Sequence, residues 1–217
     1  GLGKSRFAIV PIVRNTDRPY TVKNGLQNRH IALWQSHGKY FEQGLNRWEW
    51  QRSRLFESVE DKFTQSFVLP YLVPMLENAG AYVMMPRERD TNPNEVVVDN
   101  DGALAASPYT EHNSASAWHN GDGTGFAYRQ KQYTDFQNPF TDGTYREATT
   151  VRKVSEASTV TWTPDIPQDG EYAVYVSYKT LPGSTDDARY TVHHKGGQTT
   201  FSVNQTMGGG TWIYLGT

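Results

Sequence analysis

The sequence contains no cysteine. That excludes disulfides, thiolate nucleophiles and thiolate-bound metals, and leaves histidine and carboxylate as the available metal ligands. Net charge is also scarce: 21 Lys and Arg stand against 23 Asp and Glu, a formal −2. A nucleic-acid binder needs a concentrated positive surface for phosphate, and no basic stripe runs through this chain. No run approaches the ~20 apolar residues of a membrane span. Neither an internal repeat nor a low-complexity tract is present. No signal peptide is visible, and the opening Gly1-Leu2-Gly3-Lys4 reads as the start of a mature or an engineered chain, which leaves room for an export signal already removed.

What remains is a chain of 217 residues, enough for one large or two modest domains, and rich in aromatics at 13%. Its two halves differ in texture. Arg29 to Gln35 is a short, mostly apolar run suited to a strand buried on both faces. After a polar and aromatic loop from Ser36 to Gly44, Leu45, Trp48, Arg52, Leu55, Val59, Phe63 and Phe67 fall at spacings of three and four, which predicts one long helical face. Pro70 and Pro74 each remove a backbone donor, so a kink or restart is expected near Pro70. Asn78-Ala79-Gly80 reads as the helix end, with Gly80 taking a left-handed cap, and Ala81 to Pro86 as a second strand. Strand, helix, strand implies a parallel pair with a right-handed crossover.

Thr91 to Gly102 reads as a linker, rich in Pro, Asn, Asp and Gly. From Tyr109 onward the pattern is short alternating strands. Tyr172, Val174, Val176 and Tyr178 alternate with their neighbours; Tyr190, Val192 and His194 do likewise, followed by a turn at Gly196-Gly197 and a return through Phe201, Val203 and Gln205. The expected architecture is therefore a partial α/β piece over residues 1–100 and an all-β sandwich or jelly roll over 101–217. The chain ends at Thr217 straight after a strand pattern, and reads as truncated there.

His37 stands just after the first strand, where open α/β sheets place their sites. Glu57, Glu60 and Asp61 supply carboxylates near the main part of the helix, able to turn back and share a metal with it. His193 and His194 are adjacent in a strand and point to opposite faces, one expected buried and one solvated, so they are poor chelators. His112 and His119 lie in a polar loop region. Trp118, Tyr128 and Tyr133 can form a stacking platform for sugar rings or pack internally.

Ser36-His37-Gly38, Glu60-Asp61, Glu77-Asn78-Ala79-Gly80-Ala81 and Pro86-Arg87-Glu88-Arg89-Asp90 resemble the opening of the zinc-dependent N-acetylmuramoyl-L-alanine amidases over about 60 residues. The resemblance implies His37 and Glu60 as two zinc ligands, with Asp61 or Glu57 as alternative registers for the carboxylate. Ser36 and Lys39 replace two glycines of the family motif, and the family's later His is not found. The third ligand and the catalytic residues would lie in a C-terminal remainder of the same protein.

Val160-Thr161-Trp162-Thr163-Pro164, Ile166-Pro167, Gly170 to Val176, Tyr190 to His194, Val203-Asn204-Gln205 and Gly210-Thr211-Trp212 resemble the golvesin C-terminal-like domain over about 110 residues. Domains of that kind accompany secreted bacterial enzymes, some labelled xanthan lyase, and the resemblance implies a carbohydrate-associated sandwich inserted into the amidase-like domain. The expectations are a secreted, periplasmic or cell-surface protein whose partner is peptidoglycan or another polysaccharide. Its activity would be zinc-assisted amide hydrolysis; the alternatives are a carbohydrate-binding module on a non-catalytic scaffold, or a polysaccharide lyase.

Overall fold

The computed structural model describes residues 10–102, 108–131, 133–134 and 136–217. The Gly1 to Lys4 opening lies outside the described residues, as do residues just past the expected boundary at 101. Chain contacts divide the protein into two units: residues 1–90 with 190–201, and residues 91–189 with 202–217. Most regular elements are short strands, and among the described residues no helix is long and apolar enough to cross a membrane.

The first unit begins with β1 (Val13–Asn15) and β2 (His30–Ala32). The segment from Leu45 to Val59, expected to be helical, forms two hairpins instead. β3 (Lys39–Glu42) pairs with β4 (Arg47–Trp50), and β5 (Arg54–Leu55) with β6 (Ser58–Val59). The reason is local: Asn46 closes the first loop at φ 50°, and Phe56-Glu57 form a two-residue turn at φ 49° and 62°. Left-handed residues at these positions break a helix and match the twist of a hairpin, and the aromatic cross-strand pair Phe41–Trp48 (centroids 5.7 Å apart) supports the first ladder. The three-four spacing of apolar residues was therefore coincidental over this stretch.

The helix starts only at Glu60. α1 (Glu60–Phe67) passes through a π-helical stretch at Val68–Leu72, which holds Pro70, into α2 (Val73–Asn78) with Pro74 in its first turn. The missing proline donor is where the ladder is reset, as expected near Pro70. α2 ends in a Schellman cap: the Ala81 N–H reaches the Leu76 carbonyl at 3.0 Å and the Gly80 N–H reaches that of Glu77 at 3.0 Å, with Gly80 at φ +95°. β7 (Tyr82–Met84) then pairs in parallel with β2, Ile31 opposite Val83. β2 is shorter than the expected strand and is not buried on both faces, since His30 and Ala32 are exposed. Phe63 and Phe67, expected to face a core, are 69% and 55% exposed; Val59, Asp61 and Val73 are buried instead.

The second unit is β-rich and antiparallel. β8 (Tyr109–His112) pairs with β11 (Thr159–Trp162), and β9 (His119–Asn120) with β10 (Arg146–Glu147). β12 (Val174–Val176) pairs with β15 (Ile213–Gly216) across a bulge at Val174/Tyr175. Ala127, Val203 and Leu215 are buried, and Phe126, Phe140 and Trp212 make a ring cluster with centroids 4.8 to 5.8 Å apart. The expected hairpin forms as β13 (Ala188–His194) and β14 (Gly197–Val203), with Gly197 at φ +129°. Its outer part counts with the first unit, where β1 lies beside β14 and the Thr16 N–H meets the Thr200 carbonyl at 2.9 Å.

Candidate functional site

In the second unit, strand registers bring residues 109–120 against 144–146 and the 100–101 turn. They line an open depression of about 480 Å³, formed by Asn100, Asp101, Tyr109, Glu111, Asn120, Thr144 and Arg146. Tyr109 and Glu111 are two apart on β8, so they share one face of that strand. Arg146 on β10 sits opposite Asn120 on β9. Its guanidinium grips Glu111 with two bonds, Nε to Oε1 at 2.6 Å and Nη2 to Oε2 at 2.8 Å, and Nη1 donates to Asn120 Oδ1. The Tyr109 hydroxyl donates to Glu111 Oε1 at 2.7 Å. At the rim, the Asp101 carboxylate takes the Thr144 N–H at 2.6 Å and the Thr144 hydroxyl at 2.8 Å, while Asn100 donates to that hydroxyl at 2.8 Å.

The electrostatics follow from these contacts. The Arg146 hydrogen bonds hold the Glu111 carboxyl below the usual carboxylate range, and Glu111 raises Arg146 in return. Burial, reinforced by the hydrogen bond to Glu111, pushes the Tyr109 phenol above its ordinary value. Asp99, just outside the lining, is raised to about 6, chiefly by burial. Tyr109 also meets Trp162 of β11 edge-on at 5.9 Å, and Trp162 is 41% exposed, which gives the site an aromatic flank.

The residues proposed from sequence as a sugar platform are all half-buried and internally bonded. The Trp118 indole N–H donates to the Thr159 carbonyl at 3.1 Å. The Tyr128 hydroxyl donates to Glu95 Oε1 at 3.2 Å, and burial, then Glu95, raises its pKa. The Tyr133 hydroxyl donates to the Ala127 carbonyl at 3.1 Å. The residues that line the depression were missed. Tyr109 and Glu111 were legible as an alternating pair, but Arg146 lies 35 residues from Glu111, and only the strand register joins them.

In the first unit, the carboxyl ends of β2 and β7 carry a second polar cluster. His37 Nε2 faces Arg52 Nη2 at 2.8 Å, and Nδ1 faces Gln51 Oε1 at 3.3 Å. A guanidinium only donates, so Nε2 accepts and Nδ1 carries the ring proton. Arg52 also gives its backbone N–H to Asp61 Oδ2 at 3.4 Å, so the carboxylate linked to His37 through Arg52 is Asp61, which is 1% exposed, whereas Glu60 is exposed at the first helical position. Glu57 lies exposed in the β5–β6 turn. Gln35 Oε1, Asp61 Oδ1 and Arg87 Nε are buried without hydrogen-bond partners, and Arg87 lies so close to Gly38 that a Cβ there would meet its Nη1 at 2.9 Å. Among the described residues no group of three or more His, Asp and Glu converges as a metal site. As arranged, a cation on His37 Nε2 would stand against the Arg52 guanidinium.

His119 Nε2 lies 3.1 Å from Glu147 Oε1, His194 meets Thr199 and Gly196, and His193 and His194 are both exposed rather than split between core and solvent. His112 is exposed on β8.

No curated protein and no solved structure matches the chain. A family model does: the golvesin C-terminal domain matches residues 96–217, more than half of the sequence, and spans every residue that lines the depression. The chain belongs to the golvesin C-terminal domain family.

Proposed function

We propose that the second unit is a carbohydrate-binding module, accessory to an enzyme that acts on cell-wall or extracellular polysaccharide. The observation that carries this reading is the depression of about 480 Å³, whose lining is mostly side-chain amide, hydroxyl, carboxylate and guanidinium groups beside Tyr109. Sugar hydroxyls donate and accept at once, and a floor that mixes Asn, Glu, Arg and Thr beside an aromatic wall offers both. On this reading the protein works outside the bacterial cell.

Binding is a better reading than elimination chemistry. A lyase needs a base near neutral pH and a free cation for the sugar carboxylate. The Tyr109 phenol donates to Glu111 and is raised rather than lowered, and Arg146 is spent on Glu111. The first unit enters this reading as a scaffold. Zinc-assisted hydrolysis through His37 and Glu60 has less support, because Arg52 faces His37 Nε2 and Glu60 is exposed.

The test is a glycan array probed with the full chain, followed by calorimetry on hits. Tyr109→Ala and Asn120→Ala are expected to weaken binding at least tenfold with far-UV circular dichroism close to wild type. Silence across the array, or binding that neither change affects, would sink the proposal.

A further inference from the structure

We infer that the depression selects neutral saccharides over uronic-acid-containing ones. The inference rests on the carbohydrate-binding reading and adds the ligand class. Its ground is the charge that lines the site. Among the described residues two lining carboxylates, Asp101 and Glu111, stand against one guanidinium, Arg146, a net negative balance. Among the described residues Arg146 is the lining cation, and three of its five N–H donors are taken: Nε and Nη2 bind Glu111, and Nη1 binds Asn120. A sugar carboxylate is best held by a guanidinium or ammonium whose charge is not already matched, and the charge of Arg146 is matched by the Glu111 fork.

The surrounding charges reinforce this. Asp99 adds a further carboxylate behind the 100–101 turn, where its neighbours are Asp101 and Arg129. Arg129 is turned elsewhere, with Nε at 3.0 Å and Nη2 at 2.7 Å from the Asp142 carbonyl. Across β9 and β10, His119 is set against Glu147. The rest of the lining is neutral: the Asn100 and Asn120 amides, the Tyr109 ring and the Thr144 side chain. A uronate entering there meets like charge and must strip its own hydration without a cation to replace it.

The experiment compares matched neutral and uronate-bearing oligosaccharides, cello-oligosaccharides and oligogalacturonates among them, on the full chain at low and high salt. The expected result is at least tenfold tighter binding of neutral chains. Their affinity should be nearly independent of salt, while the uronates improve as salt screens the repulsion. Glu111→Gln releases Arg146 and is expected to narrow the preference; its fold is checked by near-UV circular dichroism. Should that variant not fold, the salt dependence alone decides. Tighter uronate binding that weakens with salt overturns the inference and leaves the binding reading standing. Absence of binding to either class removes both.

Discussion

The carboxyl of Asp99 carries a consequence for stability that can be worked from structure. Burial raises it from 3.8 to about 6, against the opposing pull of the Asp101 and Asn100 backbone N–H groups and Arg129. A carboxyl raised in the folded state binds its proton more tightly there than in the unfolded chain. Its stabilising effect is complete below the unfolded value near 4 and is lost as pH rises through about 6. A shift of about two units corresponds to about 3 kcal/mol, and roughly half of that survives screening because the side chain is only half-buried. Asp99→Asn keeps the acceptor for the Asp101 N–H at 3.2 Å and removes the charge. The variant should therefore be about 1.5 kcal/mol more stable than wild type at pH 7.5, a rise of roughly 4 °C in melting temperature for a unit of this size, and equal to wild type near pH 4. Melting curves of both proteins from pH 4 to 8 read this directly. A difference that does not change with pH, or one that grows toward acid, would refute the reasoning.

Other consequences are measurable in the same way. Glu111→Ala leaves Arg146 half-buried without its fork and should cost about 2 kcal/mol by urea titration; in wild type the same pair contributes above the unfolded Glu value and fades as pH falls through the lowered value of the folded Glu111 carboxyl. Gly80→Ala places a Cβ 3.1 Å from the Gln27 nitrogen at φ +95° and should lower stability by about 1–2 kcal/mol, seen as loss of helical circular dichroism at lower temperature. Replacing Phe56-Glu57 by Asn-Gly relieves two left-handed non-glycine residues where Phe56 is 94% exposed, and should add about 1 kcal/mol in the same melt. With Arg52 on His37, nitrogen NMR should find the His37 ring protonated at Nδ1, and zinc titration should find no His37-dependent stoichiometric site until Arg52→Ala frees Nε2. Stoichiometric zinc lost on His37→Ala with Arg52 intact would reverse that reading.

Composition and local punctuation carried much of this protein. With no cysteine, cohesion has to come from packing, hydrogen bonds and ion pairs. Pro70 resets the helix ladder, Gly80 closes it and Gly197 turns the hairpin, because each acts through its own backbone and needs no distant partner. The parallel pairing of β2 with β7 followed from a helix standing between two strands. What only the tertiary structure decided was where periodicity meant helix, which carboxylate turned inward and which residues met. Spacings of three and four suited a helix from Leu45 until left-handed residues at Asn46, Phe56 and Glu57 made hairpins cheaper. Asp61 rather than Phe63 was buried because the helix is short and its phase is set by the β6 strand that leads into it. Glu111 met Arg146 through the registers of two strand pairs, a long-range property that no local run of residues encodes.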